Sequence, residues 1–174
     1  FMTIFGTFLT RSGAIASVPG PNSSDGTSTG NGQAGDGGQD ALLPVGQTSQ
    51  DAAVLTFDFT ADASSVSFQY VFSSEEYNEF VGSGFNDVFG FFVNGTNCAT
   101  VGAEPVSVNT VNGGNPFGTG ASNPSLFRNN DPDDPGPATI DTEMDGRTTV
   151  LTCVAPVSSI ETNTMKLAIA DASD

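Results

Sequence analysis

An all-β fold, a jelly-roll-like β-sandwich with long loops and at most one short helical turn, is what the sequence predicts. Three observations carry that prediction: apolar and polar residues alternate with period two in several short runs, helix-period patterns are nearly absent, and Gly, Pro and Asn punctuate the runs. About eight short strands spaced in this way fit a sandwich better than any helical layer arrangement. The 174 residues show no shift in composition that would split them, so a single domain over 1–174 is expected.

Taken in order, residues 1–9 are apolar but have no basic stretch before them and no clear cleavage site, so 4–9 is expected to be a strand rather than part of a signal peptide. A further strand is expected at 14–18. Residues 19–40 have the Gly, Ser and Thr content of a flexible linker, yet are read as an ordered loop that packs on the domain or on a neighbouring subunit. Leu55, Phe57 and Phe59 then alternate with Thr56 and Asp58, and Val66, Phe68, Tyr70 and Phe72 alternate with Ser65, Ser67 and Gln69. Each run has one buried and one wetter face. The run from Val88 to Val93 is apolar on both faces, which predicts a central strand covered from both sides. Weaker strand signals lie at 106–111, 148–155 and 165–170. Residues 113–137, which include Asp131, Asp133 and Asp134, read as a long polar surface loop.

Charge and cysteine content narrow the function classes. Four basic residues, Arg11, Arg128, Arg147 and Lys166, stand against twenty acidic ones, so the field around the protein repels phosphate backbones and anionic lipid. Nucleic acid is excluded as a partner. The same acidity fits either solubility in a salty medium or specific cation binding. With no histidine and two cysteines a zinc site is excluded, and a disulfide between Cys98 and Cys153 is expected, two buried free thiols being the alternative. No run of eighteen apolar residues is present, so no membrane insertion is expected. Low lysine content, abundant small polar residues and a disulfide point to an extracellular or bacterial cell-surface location.

Between the runs 66–72 and 88–93 lies a compact acidic loop. Ser73 and Ser74 precede Glu76 at capping-box spacing, which predicts a single helical turn over 75–80 and accounts for Glu76 better than for Glu75. The functional reading is that the two strands are antiparallel, so that Glu75, Glu76, Asn86 and Asp87 gather at one pole, with Asp171 delivered there by the end of the 165–170 strand. Such hard oxygen donors suit Ca²⁺; ordinary solvated carboxylates are the alternative. Asp36, Asp40 and the 131–134 acids lack calcium-motif spacing and read as loop polarity. No catalytic residues are assigned: without histidine there is no triad, and four basic residues do not make a phosphoryl clamp. Glu75 and Glu76 are neighbours whose side chains diverge, which is a poor glycosidase pair, while a pairing of Glu75 with Asp87 or Asp171 stays open at this point, with a hydrolase as a third reading.

Several blocks in order resemble the choice-of-anchor L domain, a bacterial extracellular module: Pro19-Gly20-Pro21-Asn22, Asp51-Ala52-Ala53-Val54-Leu55-Thr56-Phe57-Asp58-Phe59, Phe68-Gln69-Tyr70-Val71-Phe72-Ser73-Ser74-Glu75-Glu76-Tyr77, Phe85-Asn86-Asp87-Val88-Phe89-Gly90-Phe91-Phe92, Asp145-Gly146-Arg147-Thr148-Thr149 and Lys166-Leu167-Ala168-Ile169-Ala170-Asp171. The resemblance implies a structural or adhesive part of a secreted or surface protein, not an enzyme. The family pattern runs on past Asp171 into a further strand that these residues do not contain. The expectation is that this strand has been cut away, or that a neighbouring subunit supplies it by strand addition and so propagates a filament. The expected function is thus a Ca²⁺-stabilised, non-enzymatic module for adhesion or assembly in an extracellular matrix. Its expected partners are copies of itself, other surface proteins or glycans; a Ca²⁺-dependent, lectin-like sugar-binding module is the alternative.

Overall fold

The computed structural model describes residues 12, 16, 18–27, 30–136 and 140–173. The strand predicted at 4–9, and most of that predicted at 14–18, lie outside the described residues. The rest is mainly strand: β1 (Ser49–Phe59), β2 (Ser65–Tyr70), β3 (Ser73–Ser74), β4 (Val88–Val93), β5 (Thr96–Asn97), β6 (Thr100–Val101), β7 (Glu104–Ser107), β8 (Phe127–Asn129), β9 (Gly146–Thr148), β10 (Leu151–Pro156) and β11 (Asn163–Ala172). Helical structure among the described elements is one turn, α1 (Gly37–Asp40), and a 3-10 turn over Pro124–Leu126.

The strands form two layers, and the ladders between named strands are antiparallel. The first layer runs β1-β11-β4-β7-β6, with β5 turned back on β4. In the second, β2 pairs with β10, and β9 pairs with β3 on one side and β8 on the other. Thr148 bridges these two pairings: its N–H donates to the Phe72 carbonyl at 2.8 Å and its Oγ1 accepts from the Phe72 N–H at 3.0 Å. The register passes from Tyr70↔Leu151 to Ser73↔Arg147, which inserts one extra residue on the 146–156 side. Such a bulge bends a strand.

Alternating residues of β2 supply the inner face of the second layer. Phe68 stacks on Phe91 with ring centroids 4.6 Å apart and Tyr70 on Phe89 at 5.1 Å, so β2 lies over β4. Each such pair contributes about 0.5–1.5 kcal/mol beyond the area it buries. A disulfide between Cys98 and Cys153, with Cα atoms 5.3 Å apart, ties the turn after β5 to β10 and hence one layer to the other.

The other face of β4 is covered as well, in keeping with its unbroken apolar sequence. Asp36 accepts from the N–H groups of Gly38 and Gln39 and so caps α1. That turn sets the fully buried Gln39 against the sheet, where its Nε2 donates to the carbonyls of Val88 at 2.9 Å and Ala168 at 3.0 Å. Gly90 leaves the room it needs, since a Cβ there would sit 2.4 Å from the Gln39 Oε1. Lys166 on β11 pairs with Asp36 at 2.5 Å and lies over the Phe92 ring. A bulge at Asp51, whose φ is 48°, lets its carboxylate accept from the N–H groups of Asn31 and Gln33.

Two expectations are corrected. The strand read at 106–111 ends at Ser107, because the Thr110 hydroxyl takes the Ser107 N–H at 2.9 Å and donates to the Pro105 carbonyl at 2.7 Å, which closes the chain into a turn. The helical turn read over 75–80 is absent: the Ser74 hydroxyl accepts from the N–H of Glu76, only two residues on, and separate turns follow at Asn78–Val81 and Phe80–Ser83. A serine hydroxyl used this way favours a local turn over a helix cap.

Candidate functional site

Three of the five residues expected at the pole line one cleft of about 200 Å³: Glu75, Asp87 and Asp171. The strand register explains the arrangement. Ala170 stands opposite Val88 in the β11–β4 ladder, so the next residues outward on each strand are Asp171 and Asp87. β3 then places Ser74 and Glu75 beside them, and the Ser74 hydroxyl donates to Asp87 Oδ2 at 2.8 Å. Ser12, on the same cleft, donates from its hydroxyl to Asp171. Side chains at 169 and 171 lie on one face of β11, as strand alternation requires, and Ile169 forms part of the wall.

Glu76 and Asn86 lie apart from that cleft lining. Glu76 is buried, at 6% exposure, with its N–H on Ser74. The Asn86 side-chain carbonyl accepts from the Asn109 N–H at 2.9 Å and fixes the turn after β7.

Next to the pole the structure gathers carboxylates that sequence spacing did not single out. The N-terminal loop contributes Asn22 and Asp25, the turn after β3 contributes Asn78 and Glu79, the loop after β8 contributes Asp131 and Asp134, and Asp145 directly precedes β9. Asp145 is fully buried. Its Oδ1 accepts from Asn22 Nδ2 at 2.7 Å, whereas its Oδ2 has no hydrogen-bond partner. Both oxygens of Glu79 are likewise shielded from solvent and without a hydrogen-bond partner, although its own backbone N–H lies near.

Electrostatics reflect that crowding. Burial pushes the Asp145 carboxyl up to about 8, the Asn22 hydrogen bond partly offsets this, and the negative charges of Glu79, Asp131 and Glu75 add to it. Glu79 is pushed up to about 7, first by burial and then by Asp131, Asp25 and Asp134. Asp131 is also raised, mainly by burial, even though the Asp133 N–H donates to it. No cationic side chain among the described residues pairs with Glu79 or Asp145.

Gly146 makes the close approach at this point possible. A Cβ there would lie 2.5 Å from the Phe127 ring and 2.8 Å from Tyr77, so a side chain would drive the strand bearing Asp145 away from the turn bearing Glu79. Asn78 adds to the framework by donating to Asp134 Oδ2 at 2.7 Å and to Asn129 Oδ1 at 3.0 Å.

Among the described residues no three Asp, Glu, His or Cys side chains form a group close enough to hold a metal ion by themselves. The donor chemistry of the region is oxygen only, which suits Ca²⁺ or Mg²⁺ and not zinc or copper. A larger cleft of about 670 Å³ lies beside the disulfide, lined by Asn94, Asn97, Thr100 and Thr152 among others, and no titratable side chain faces it. No described helix is long and apolar enough to cross a membrane.

Neither a curated protein nor a solved structure matches the chain. The sequence model of the Choice-of-anchor L domain, however, matches residues 5–174, essentially from end to end. Those matched residues include the paired strands, the acidic turn and the disulfide described above, and the chain belongs to the choice-of-anchor L domain family, a bacterial surface module.

Proposed function

We propose that this domain is a non-enzymatic structural or adhesive module of the bacterial surface, stiffened by Ca²⁺ at the pole where strand ends meet. One observation carries the reading: Glu75, Asp87 and Asp171, from three separate segments, line a single cleft. A divalent ion there ties β3, β4 and β11 together. Extracellular calcium sites commonly bind at about 10⁻⁴–10⁻³ M, and tenfold excess over the dissociation constant stabilises the folded state by about 1.4 kcal/mol. Thermal melts of the wild type and of Asp87→Asn and Asp171→Asn, with calcium and with EGTA, test the assignment. A calcium-dependent rise that both variants keep in full removes the ion from this cleft.

Assembly through strand addition is part of the proposal, supported by β1, which among the described residues is a long strand at the edge of the first layer, met only at 50–52 by residues 33 and 34. Electron microscopy of purified protein with and without calcium tests it; monomers under all conditions would end the filament idea. A lectin-like role is the second reading. The amide and hydroxyl groups lining the cleft beside the disulfide favour it, since they match the hydrogen-bonding needs of a sugar, and a glycan array decides.

A further inference from the structure

We propose a cation site distinct from the pole cleft, in which Glu79 and Asp145 hold one Ca²⁺ ion with Asp131 beside them. The inference does not depend on an ion at Asp87 and Asp171. It starts from Asp145, which is fully buried and keeps Oδ2 without any hydrogen-bond partner. A buried carboxylate left in that state is strongly unfavourable unless something neutralises it. Glu79 adds two more shielded oxygens in the same condition.

Three resolutions exist in principle: a basic side chain, protons, or a metal ion. Among the described residues the first is not used, because Lys166 is committed to Asp36, while the Arg128 and Arg147 guanidinium groups bond backbone carbonyls. Protons neutralise the charge but serve the oxygens poorly, since each carboxylic acid offers one donor, while Asp145 Oδ2 and both Glu79 oxygens have none from the protein. A hard divalent cation satisfies all of them at once. Calcium takes six to eight oxygen ligands and accepts amide carbonyls, backbone carbonyls and waters beside carboxylates, so it does not need three carboxylates already in contact.

The surrounding framework fits a site that is held open in advance. Asn22 grips the other oxygen of Asp145, Asn78 grips Asp134, and the Asp133 N–H grips Asp131. Each of these bonds leaves its carboxylate with further acceptor capacity. The raised proton affinities of Glu79 and Asp145 have the same origin, negative charge crowded into a shielded space. The ion would join the N-terminal loop, the turn after β3, the loop after β8 and the approach to β9, which backbone ladders connect only in part.

Calcium titration by calorimetry on wild type, Glu79→Gln, Asp145→Asn and Asp171→Asn tests the site. We expect Glu79→Gln and Asp145→Asn each to weaken one binding event at least tenfold, and Asp171→Asn to leave that event unchanged. The absence of any event that Glu79→Gln and Asp145→Asn weaken overturns the proposal, whatever Asp171→Asn does at the pole cleft, as does wild type that binds no calcium at millimolar concentration. Hydrogen exchange on the wild type covers the case in which a variant does not fold. Calcium should slow exchange across 78–82 and 130–134; protection confined to 86–88 and 171–173, or found nowhere, overturns the site.

Discussion

Asn22 donates to Asp145 at 2.7 Å across 123 positions of sequence, and through its second bond to the Asn130 carbonyl it fastens the N-terminal loop to both sides of the acidic region. The Pro-Gly-Pro-Asn block that opens the polar 19–40 stretch is thus part of the framework around the buried carboxylates. The backbone bridge between Pro19 and Thr142 and the Ser23 contacts with Glu143 continue the same attachment.

The acidic region sets the pH dependence of stability when no cation is bound. Asp145 rises from 3.8 to about 8 and Glu79 from 4.5 to about 7 on folding, with Glu75, Asp25, Asp131 and Asp134 facing them. A carboxyl that binds its proton more tightly in the folded state stabilises the fold below its unfolded pKa, and that contribution disappears as pH rises through the folded value. Stability in EGTA should therefore fall between about pH 4 and pH 8, by on the order of 2 kcal/mol or more. Calcium, which binds the deprotonated form, should flatten or reverse the slope. Melts across this range in EGTA and in calcium provide the measurement; a flat EGTA profile contradicts the prediction.

Lys166 and Asp36 should show the opposite pH behaviour. Burial pushes the Asp36 carboxyl up, but the Lys166 bond and charge, with the Gly38 and Gln39 N–H groups, outweigh it and hold it below its ordinary value. Its contribution is present above the unfolded pKa and is lost as pH falls through the folded one. Lys166→Met keeps the stem over Phe92 and removes the charge. Because both side chains are part-exposed, we expect a loss of about 0.5–1 kcal/mol at pH 7 by urea denaturation, shrinking toward pH 3.

Reducing the disulfide should be costly. Cys98 and Cys153 are 55 residues apart and join the two layers. The chain-entropy relation gives about 4 kcal/mol for a loop of that size. Urea midpoints of the oxidised protein and of a Cys98→Ser, Cys153→Ser double variant measure it, and a difference below about 1 kcal/mol would show that the layers hold without the bridge.

Gly146→Ala should destabilise the fold by about 1–3 kcal/mol through overpacking against Phe127 and Tyr77. The loss should be accompanied by faster amide exchange in β8 and β9, while β1 and β11 keep their protection. Uniform acceleration across both layers would place the strain elsewhere.

Strand existence was legible wherever period-two alternation was strong. β4 falls on the same residues as its apolar run, and Val66, Phe68 and Tyr70 form the β2 side facing β4. At 106–111 the pattern misled, because Val106, Val108 and Val111 are all buried although only the first lies in a strand. Burial, not strand pairing, is what their hydrophobicity records, and the Thr110 hydroxyl decides the turn. Likewise the α1 turn hides in a Gly-rich stretch whose composition suggests a linker; Asp36 as cap and Gln39 as anchor give it order through contacts with β4 and β11.

By itself the sequence determined the all-β class, the absence of histidine chemistry and the family, and it named the two cysteines that the structure joins. These are properties of composition, short-range periodicity and ordered motifs. Tertiary structure alone decided which carboxylates share a space. Asp87 and Asp171 meet because of a strand register, while Glu79 and Asp131 come within electrostatic reach of Asp145 because the turns around β3, β8 and β9 bring three distant segments together. An acidic residue looks the same in a sequence whether water or other carboxylates surround it. Only the fold sets its burial, and burial is what turns an ordinary loop aspartate such as Asp145 into a charge that requires a partner.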